Sequence, residues 1–115
     1  MADKLASFEN LKCWQAAREL VAFIYALSNQ GQFARDFEMK SQIRRAALSV
    51  MNNIAEGFGR NTQKEFIRFL DISHASCLEV KSITYVLEDI SYISMESIQQ
   101  IHAKTDRTRG LTRGL

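Results

Sequence analysis

Residues 42–70, QIRRAALSVMNNIAEGFGRNTQKEFIRFL, decide how this chain folds. At about 100° per residue, Ile43, Ala47, Val50 and Ile54 fall on one line of a helix. Arg45, Ser49, Asn52 and Glu56 fall almost opposite. Leu48, Met51, Ala55 and Phe58 form a further apolar cluster beside the first line. The apolar arc is therefore wider than the ~100° stripe that one core requires, which predicts a second packing partner. The pattern places a helix over 37–56, ended by Gly57 and Gly59 around Phe58. Thr62-Gln63-Lys64-Glu65 then fits a capping box, in which the threonine oxygen and the glutamate satisfy backbone N–H groups that would otherwise be orphaned. A new helix starts there.

Upstream, Leu11, Trp14, Ala17, Val21 and Ile24 recur at spacings of three and four, widened by Leu20, Phe23 and Leu27. Asn10 is a suitable N-cap for this helix and Gly31 a suitable stop. Residues 1–9 read as a short lead-in, and Phe33 and Phe37 flank a linker. Downstream, Phe66, Leu70, Ser73, Cys77, Val80, Thr84 and Leu87 form one line, with Phe69, Ile72, Ser76, Ile83, Val86 and Ile90 alongside. This helix is predicted to run to about residue 93. Its mid-section of Ser73, Ala75, Ser76 and Cys77 lets a neighbouring helix approach closely. Ser94 caps a fourth helix whose inner line is Ile98, Ile101, Thr105, Thr108, Thr112 and Leu115. Gly110 and Gly114 each cost it about 1 kcal/mol of helix propensity, so it needs packing to be stable.

The chain has 115 residues, 46% of them hydrophobic, with no proline and five glycines. That suits one all-α domain, 1–115, and four helices on short connections predict an antiparallel up-down four-helix bundle. The opening MADKLASFEN is too polar for a secretory signal, and no apolar run approaches the ~20 residues of a membrane span. Cys13 and Cys77 sit in apolar helical patterns, which predicts reduced, buried thiols in a cytoplasmic protein.

The net charge of +2 hides a segregation. Residues 39–68 carry six basic side chains against two acidic, and residues 104–113 carry four against one. Residues 71–96 reverse this, with five acidic against one basic. An up-down bundle brings the end of helix 2, the start of helix 3 and the end of helix 4 to one pole. Arg60, Lys64, Arg68, Arg107, Arg109 and Arg113 are therefore predicted to form a basic pole suited to a phosphate backbone. The alternative is a set of solvated cations balanced by the acidic third helix.

Catalytic patterns fit poorly. No glutamate is followed by histidine three residues on, as a di-metal carboxylate bundle requires on two helices. His74 and Cys77 share a helix face but fall short of a zinc set. Residues 57–62, GFGRNT, lack the third glycine and the preceding strand of a dinucleotide loop. Arg68 and His74 have the spacing of an Arg-x(4–6)-His ribonuclease motif, but the residue after the arginine is the apolar Phe69. No catalytic residue, metal or cofactor is predicted. Arg45, Ser49, Asn52 and Glu56 read as a structural polar network, with Glu56 or Glu79 as the carboxylate partner of a buried Arg45.

Residues 42–60 closely resemble the four-helix-bundle family encoded in intervening sequences of bacterial 23S ribosomal RNA genes. Gln42, Ile43, Arg44, Arg45, Ala46, Ala47, Ser49, Val50, Asn53, Ile54, Ala55, Glu56, Gly57, Gly59 and Arg60 match its pattern, and Glu65, Phe66, Phe69 and Leu70 continue it. Trp14, Gln15, Ala17, Ala75, Ser76 and Glu79 fit as well, so the likeness covers nearly the whole chain. Met51 departs from it, standing where a proline is common. The resemblance implies a bundle that assembles into a ring-shaped homo-oligomer, a pentamer, related to the accessory variability determinant of diversity-generating retroelements. That relative engages a reverse transcriptase and nucleic acid. No catalytic residue carries over. The expectation is a non-enzymatic oligomer that binds RNA or a nucleoprotein partner through the basic pole, with Leu48, Met51 and Phe58 at the oligomer interface. The second hypothesis is a protein-only scaffold without nucleic-acid binding.

Overall fold

The computed structural model describes residues 7–115, which form helices and turns with no strand among them. Residues 1–6 of the expected lead-in lie outside the described residues. A 3-10 turn, Phe8–Asn10, precedes five helices: α1 (Lys12–Ser28), α2 (Gly31–Arg35), α3 (Phe37–Phe58), α4 (Gln63–Asp89) and α5 (Met95–Arg113). Four of them are long. α1 and α4 each pack against both α3 and α5, giving a bundle-like arrangement. The molecule measures 47 × 21 × 19 Å, and α4 at about 1.5 Å per residue runs most of the long axis.

Local chemistry sets most of the helix ends. Thr62 accepts from the Glu65 N–H at 3.2 Å and caps α4. Ser94 does the same for α5 from Ser97, and Asp36 for α3 from Met39. Four boundaries differ from the sequence expectation, the first being α3, which runs on through Gly57 to Phe58 and is capped by Gly59 rather than ending at residue 56. Leu11, not Asn10, is the N-cap of α1, because Ser7 and the 3-10 turn already order the approach. The expected linker holds a short helix, α2, which Gly31 opens in the left-handed region at φ 59° and which buries Phe33. α4 ends at Asp89, short of residue 93. Ser91 turns left-handed (φ 58°), Tyr92 N–H bonds back to Leu87 O and Ser91 N–H to Glu88 O. This is a Schellman stop built on serine rather than glycine.

The core draws on every long helix. Leu20, Ile24, Phe33, Ile43, Val50, Ile54, Val80, Leu87 and Ile101 are its larger buried members. The inner line predicted for α5 is buried from Ile98 to Thr112, but Leu115 is exposed because the helix has ended before it. The buried threonines cost little, since each hydroxyl donates to a carbonyl one turn back: Thr105 to Ile101, Thr108 to Lys104, Thr112 to Arg109. The second line predicted for α4 is only partly covered. Phe69 and Ser76 are buried, whereas Ile72, Val86 and Ile90 face outward.

Candidate nucleic-acid interface

The turn that carries the basic residues is set by how closely α3 and α4 approach. A Cβ on Gly57 would stand 2.7 Å from Phe69 Cβ and 3.0 Å from a ring carbon of Phe66, so only glycine fits this crossing. Further along the seam, Ser73 Oγ donates to Val50 O at 2.9 Å, and Ser49 and Ser76 share a 2.7 Å hydroxyl bond. Asn53 Nδ2 donates to the Ser49 carbonyl and hydroxyl. This small hydrogen-bonded cluster corrects the predicted polar network. Of its members only Ser49 belongs to the seam. Arg45 is exposed and bonds Ser41, and Asn52, Glu56 and Glu79 are exposed, so water satisfies them and no buried arginine needs a carboxylate. Ser76, which meets Ser49 across the seam, and Asn53, which supports Ser49 from one turn along α3, are partners that period alone does not single out.

The six predicted phosphate contacts divide. Arg60, in the α3–α4 turn, and Arg68, on α4, each place a guanidinium 4.7 Å from the centroid of the Phe69 ring. The two therefore converge on one aromatic side chain. Lys64 is exposed one turn before Arg68 on the same helix. Arg113 lines a hollow of about 330 Å³ with Ile67, Leu70, Asp71, His74 and Thr112, which sets it beside the opening turns of α4. Arg107 does not join this group, and Arg109, one turn before Arg113 and also close enough to act on His74, borders it only as a partly buried cation. Two residues apart on a helix is about 200° of rotation, so they point to opposite sides of α5. Arg107 reaches Glu19 on α1 at 3.8 Å, and Arg109 pairs with Asp106 at 3.5 Å with its Nε buried and unpartnered.

Acidic neighbours temper the cluster. Arg68 holds Glu65 at 3.2 Å, an exposed i,i+3 pair worth at most about 0.5 kcal/mol, so a phosphate can compete for that guanidinium. His74 has its pKa pushed down, chiefly by desolvation and then by Arg109 and Arg113, which leaves it neutral near pH 7. Cys77 is buried beside it, and its thiol is pushed up to about 12. Among the described residues no three His, Cys, Asp or Glu side chains are placed to hold a metal ion.

The apolar surface also divides. Met51 and Phe58 are half-buried against the core, with Phe58 edge-on to Phe66 at 6.0 Å, and Leu48 lines a groove between α1 and α3. Most of the larger exposed apolar groups are elsewhere: Ile67, Ile72, Leu78, Tyr85 and Val86 lie on α4 and Ile90 is its C-cap, with Phe37, Met95 and Leu115 on other elements. No described helix is long and apolar enough to cross a membrane, so this face is not a lipid span.

The chain matches the 23S rRNA-intervening sequence protein family over residues 9–114, and it belongs to that family. It is similar to a crystal structure of a protein of unknown function from the S23 ribosomal protein family of Bacteroides thetaiotaomicron. The TM-score is 0.81 at 23% identity, over 89% of this chain and 95% of that one. A likeness at that identity concerns the fold alone. No curated protein matches the chain.

Proposed function

We propose that this member of the 23S rRNA-intervening sequence protein family is a non-enzymatic, self-assembling, antiparallel four-helix bundle that binds RNA through the end formed by the α3–α4 turn. The observation that carries the RNA reading is the convergence of Arg60 and Arg68 on Phe69, with Lys64 one turn away and Arg113 nearby. Guanidinia packed on a ring are held in place yet keep their N–H edges for phosphate oxygens, contacts that position a backbone without reading its sequence. Arg107 is outside this footprint, and Arg109 borders it as a partly buried cation beside His74 that is paired with Asp106.

The antiparallel arrangement is supported by contacts whose numbers fall on one helix as they rise on the other. Tyr85 stacks on His102, Lys81 binds Asp106 at 2.8 Å, and His74 shares a hollow with Arg113. Assembly into a ring is supported by the apolar residues exposed along α4. Leu48, Met51 and Phe58 are weaker candidates for that interface, since two of them pack inward. Each added subunit would repeat the basic end, multiplying its field.

The test is RNA affinity against salt. Native protein binds a structured RNA with log K falling linearly in log[salt], and the triple variant Arg60→Gln/Lys64→Gln/Arg68→Gln lowers the slope by up to about 0.9 per lost contact. An affinity indifferent to salt, or unchanged in the variant, refutes the RNA reading and leaves the protein-only scaffold. Sedimentation of the native chain and of Leu78→Glu/Val86→Glu checks the assembly, and a monomeric native chain rejects the ring.

A further inference from the structure

We propose that the groove between α1 and the first half of α3 is a separate site for single-stranded nucleic acid, with Phe37 as its stacking platform. Phe37 is 78% exposed, the most exposed large hydrophobic residue among those described. It makes no core contact that would account for a ring at this position. It stands between two open hollows, each about 490 Å³, large enough for a nucleotide unit apiece. Tyr25, Lys40, Ser41, Arg44, Arg45 and Leu48 line the first with it, and Gln32, Arg35, Asp36 and Tyr92 the second.

The cations around the ring differ in what they are free to do. Arg44 is used up structurally. It donates to Ser28 Oγ at 2.8 Å and to Asn29 Oδ1 at 3.2 Å, and its guanidinium lies 4.2 Å from the Tyr25 ring centroid, closing the end of α1. Lys40 donates to Ala34 O and rests 5.2 Å from the Phe37 ring centroid. Among the described residues Arg45 bonds only the neutral Ser41 hydroxyl, and Arg35 has no carboxylate partner. One acid enters the track, Asp36, and its carboxylate already accepts from Tyr92 Oη and the Met39 N–H. Glu38 lines a different hollow, with Met39, Gln42, Ile83 and Val86.

The order along the surface is therefore free guanidinium, exposed aromatic ring, free guanidinium. That alternation suits a chain of flat bases joined by phosphates, because every base has a face to stack and every link a charge to neutralise. Two hollows that meet at one ring suit a strand better than a single small anion. An acidic peptide supplies the charge but has no planar group at each residue. The site is some distance from the α3–α4 turn along α3, since α3 continues for about 13 residues beyond Arg45, to Phe58, at about 1.5 Å each. It rests on the nucleic-acid reading above for the class of ligand and on none of the same residues.

Anisotropy of a fluorescein-labelled oligouridylate at low salt tests it with the full chain. Phe37→Ala and Phe37→Leu are each expected to weaken binding about ten- to hundredfold, Phe37→Trp to keep or tighten it, and Arg45→Gln to weaken it and flatten its salt dependence. Circular dichroism checks that each variant is folded, as a ring this exposed permits. Arg60→Gln/Lys64→Gln/Arg68→Gln is expected to leave oligouridylate binding nearly unchanged while it weakens structured RNA. If Phe37→Ala binds like the native chain, the groove is refuted whatever the turn variant does. Phe37→Leu binding like native, or polyglutamate competing as well as oligouridylate, refutes stacking and assigns the groove to an apolar or acidic protein segment. Loss in the turn variant alone refutes the groove and leaves the α3–α4 end standing.

Discussion

Gly57→Ala sets two effects of known size against each other. Alanine is the better helix former, and at a helical glycine the exchange is worth about 1 kcal/mol in its favour. Against that, the new methyl would lie 2.7 Å from Phe69 Cβ, 3.0 Å from Phe66 Cδ1 and 3.3 Å from Phe66 O. Carbon atoms prefer about 3.5–4.0 Å, so the closest contact is about 1 Å too short. Both Cβ atoms are fixed to helix backbones and neither can rotate away, so α4 must move off α3. Overpacking of this kind costs about 1–3 kcal/mol, and a clash on the backbone side belongs at the upper end. The net expectation is a loss of about 1–2 kcal/mol, read as a lower urea midpoint at unchanged m-value and fixed protein concentration. Gly110→Ala is the control. Gly110 is also inside a helix but has nothing within 4 Å of a built Cβ, so propensity alone acts and stability rises by about 0.5–1 kcal/mol. Opposite signs for the two variants are the signature. A Gly57→Ala protein as stable as native would refute the close α3–α4 crossing, and with it the placement of Arg60 and Arg68 on Phe69.

Ser91→Gly removes the strain of a left-handed serine in the turn after α4 and is expected to stabilise the fold by about 0.5–1 kcal/mol in thermal melts. The Tyr92 hydroxyl, followed by the Met39 N–H, holds the Asp36 carboxyl below its usual pKa. A depressed folded pKa stabilises the fold above the unfolded value of ~3.9, and that contribution is lost as pH falls through the lower folded one. Asp36→Asn keeps an acceptor for Met39, so its stability should fall less steeply than the native chain's below about pH 4. Cys13 and Cys77 are each 1% exposed, and burial raises both thiol pKa values. Neither should react with iodoacetamide at pH 8 in the native state, and both should react in denaturant.

Much of the candidate interface was legible only in part, for reasons that lie in particular residues. Lys64 and Arg68 are four apart on a capped helix, so their common face follows from period. Arg107 and Arg109 enter the predicted pole through topology, which brings the end of α5 to it but ignores the helix rotation between the two; Arg107 reaches Glu19 and Arg109 pairs with Asp106. The Arg45–Glu56 line was sound as a helix face. Whether that face is buried depends on a neighbour the sequence does not specify: Arg45, Asn52 and Glu56 are exposed, while Ser49 meets Ser76 across the seam. Phe37 read as one end of a linker, and nothing in its neighbours in sequence marks it as exposed.

The sequence by itself determined the four long helices, though not α2, because their causes are local. Apolar residues at spacings of three and four, Thr62 and Ser94 as N-caps, and Gly59 as the C-cap of α3 all act within a turn or two of the chain. What only the tertiary structure decided is the use of each face. Period places Phe69 and Ile72 on the same flank of α4, yet one is buried and carries two guanidinia while the other meets solvent. Gly57 could be a helix breaker or a contact point, and a Cβ distance to Phe69 makes it the latter. Burial is a property of the pair of surfaces that meet, and one helix's sequence describes only one of them.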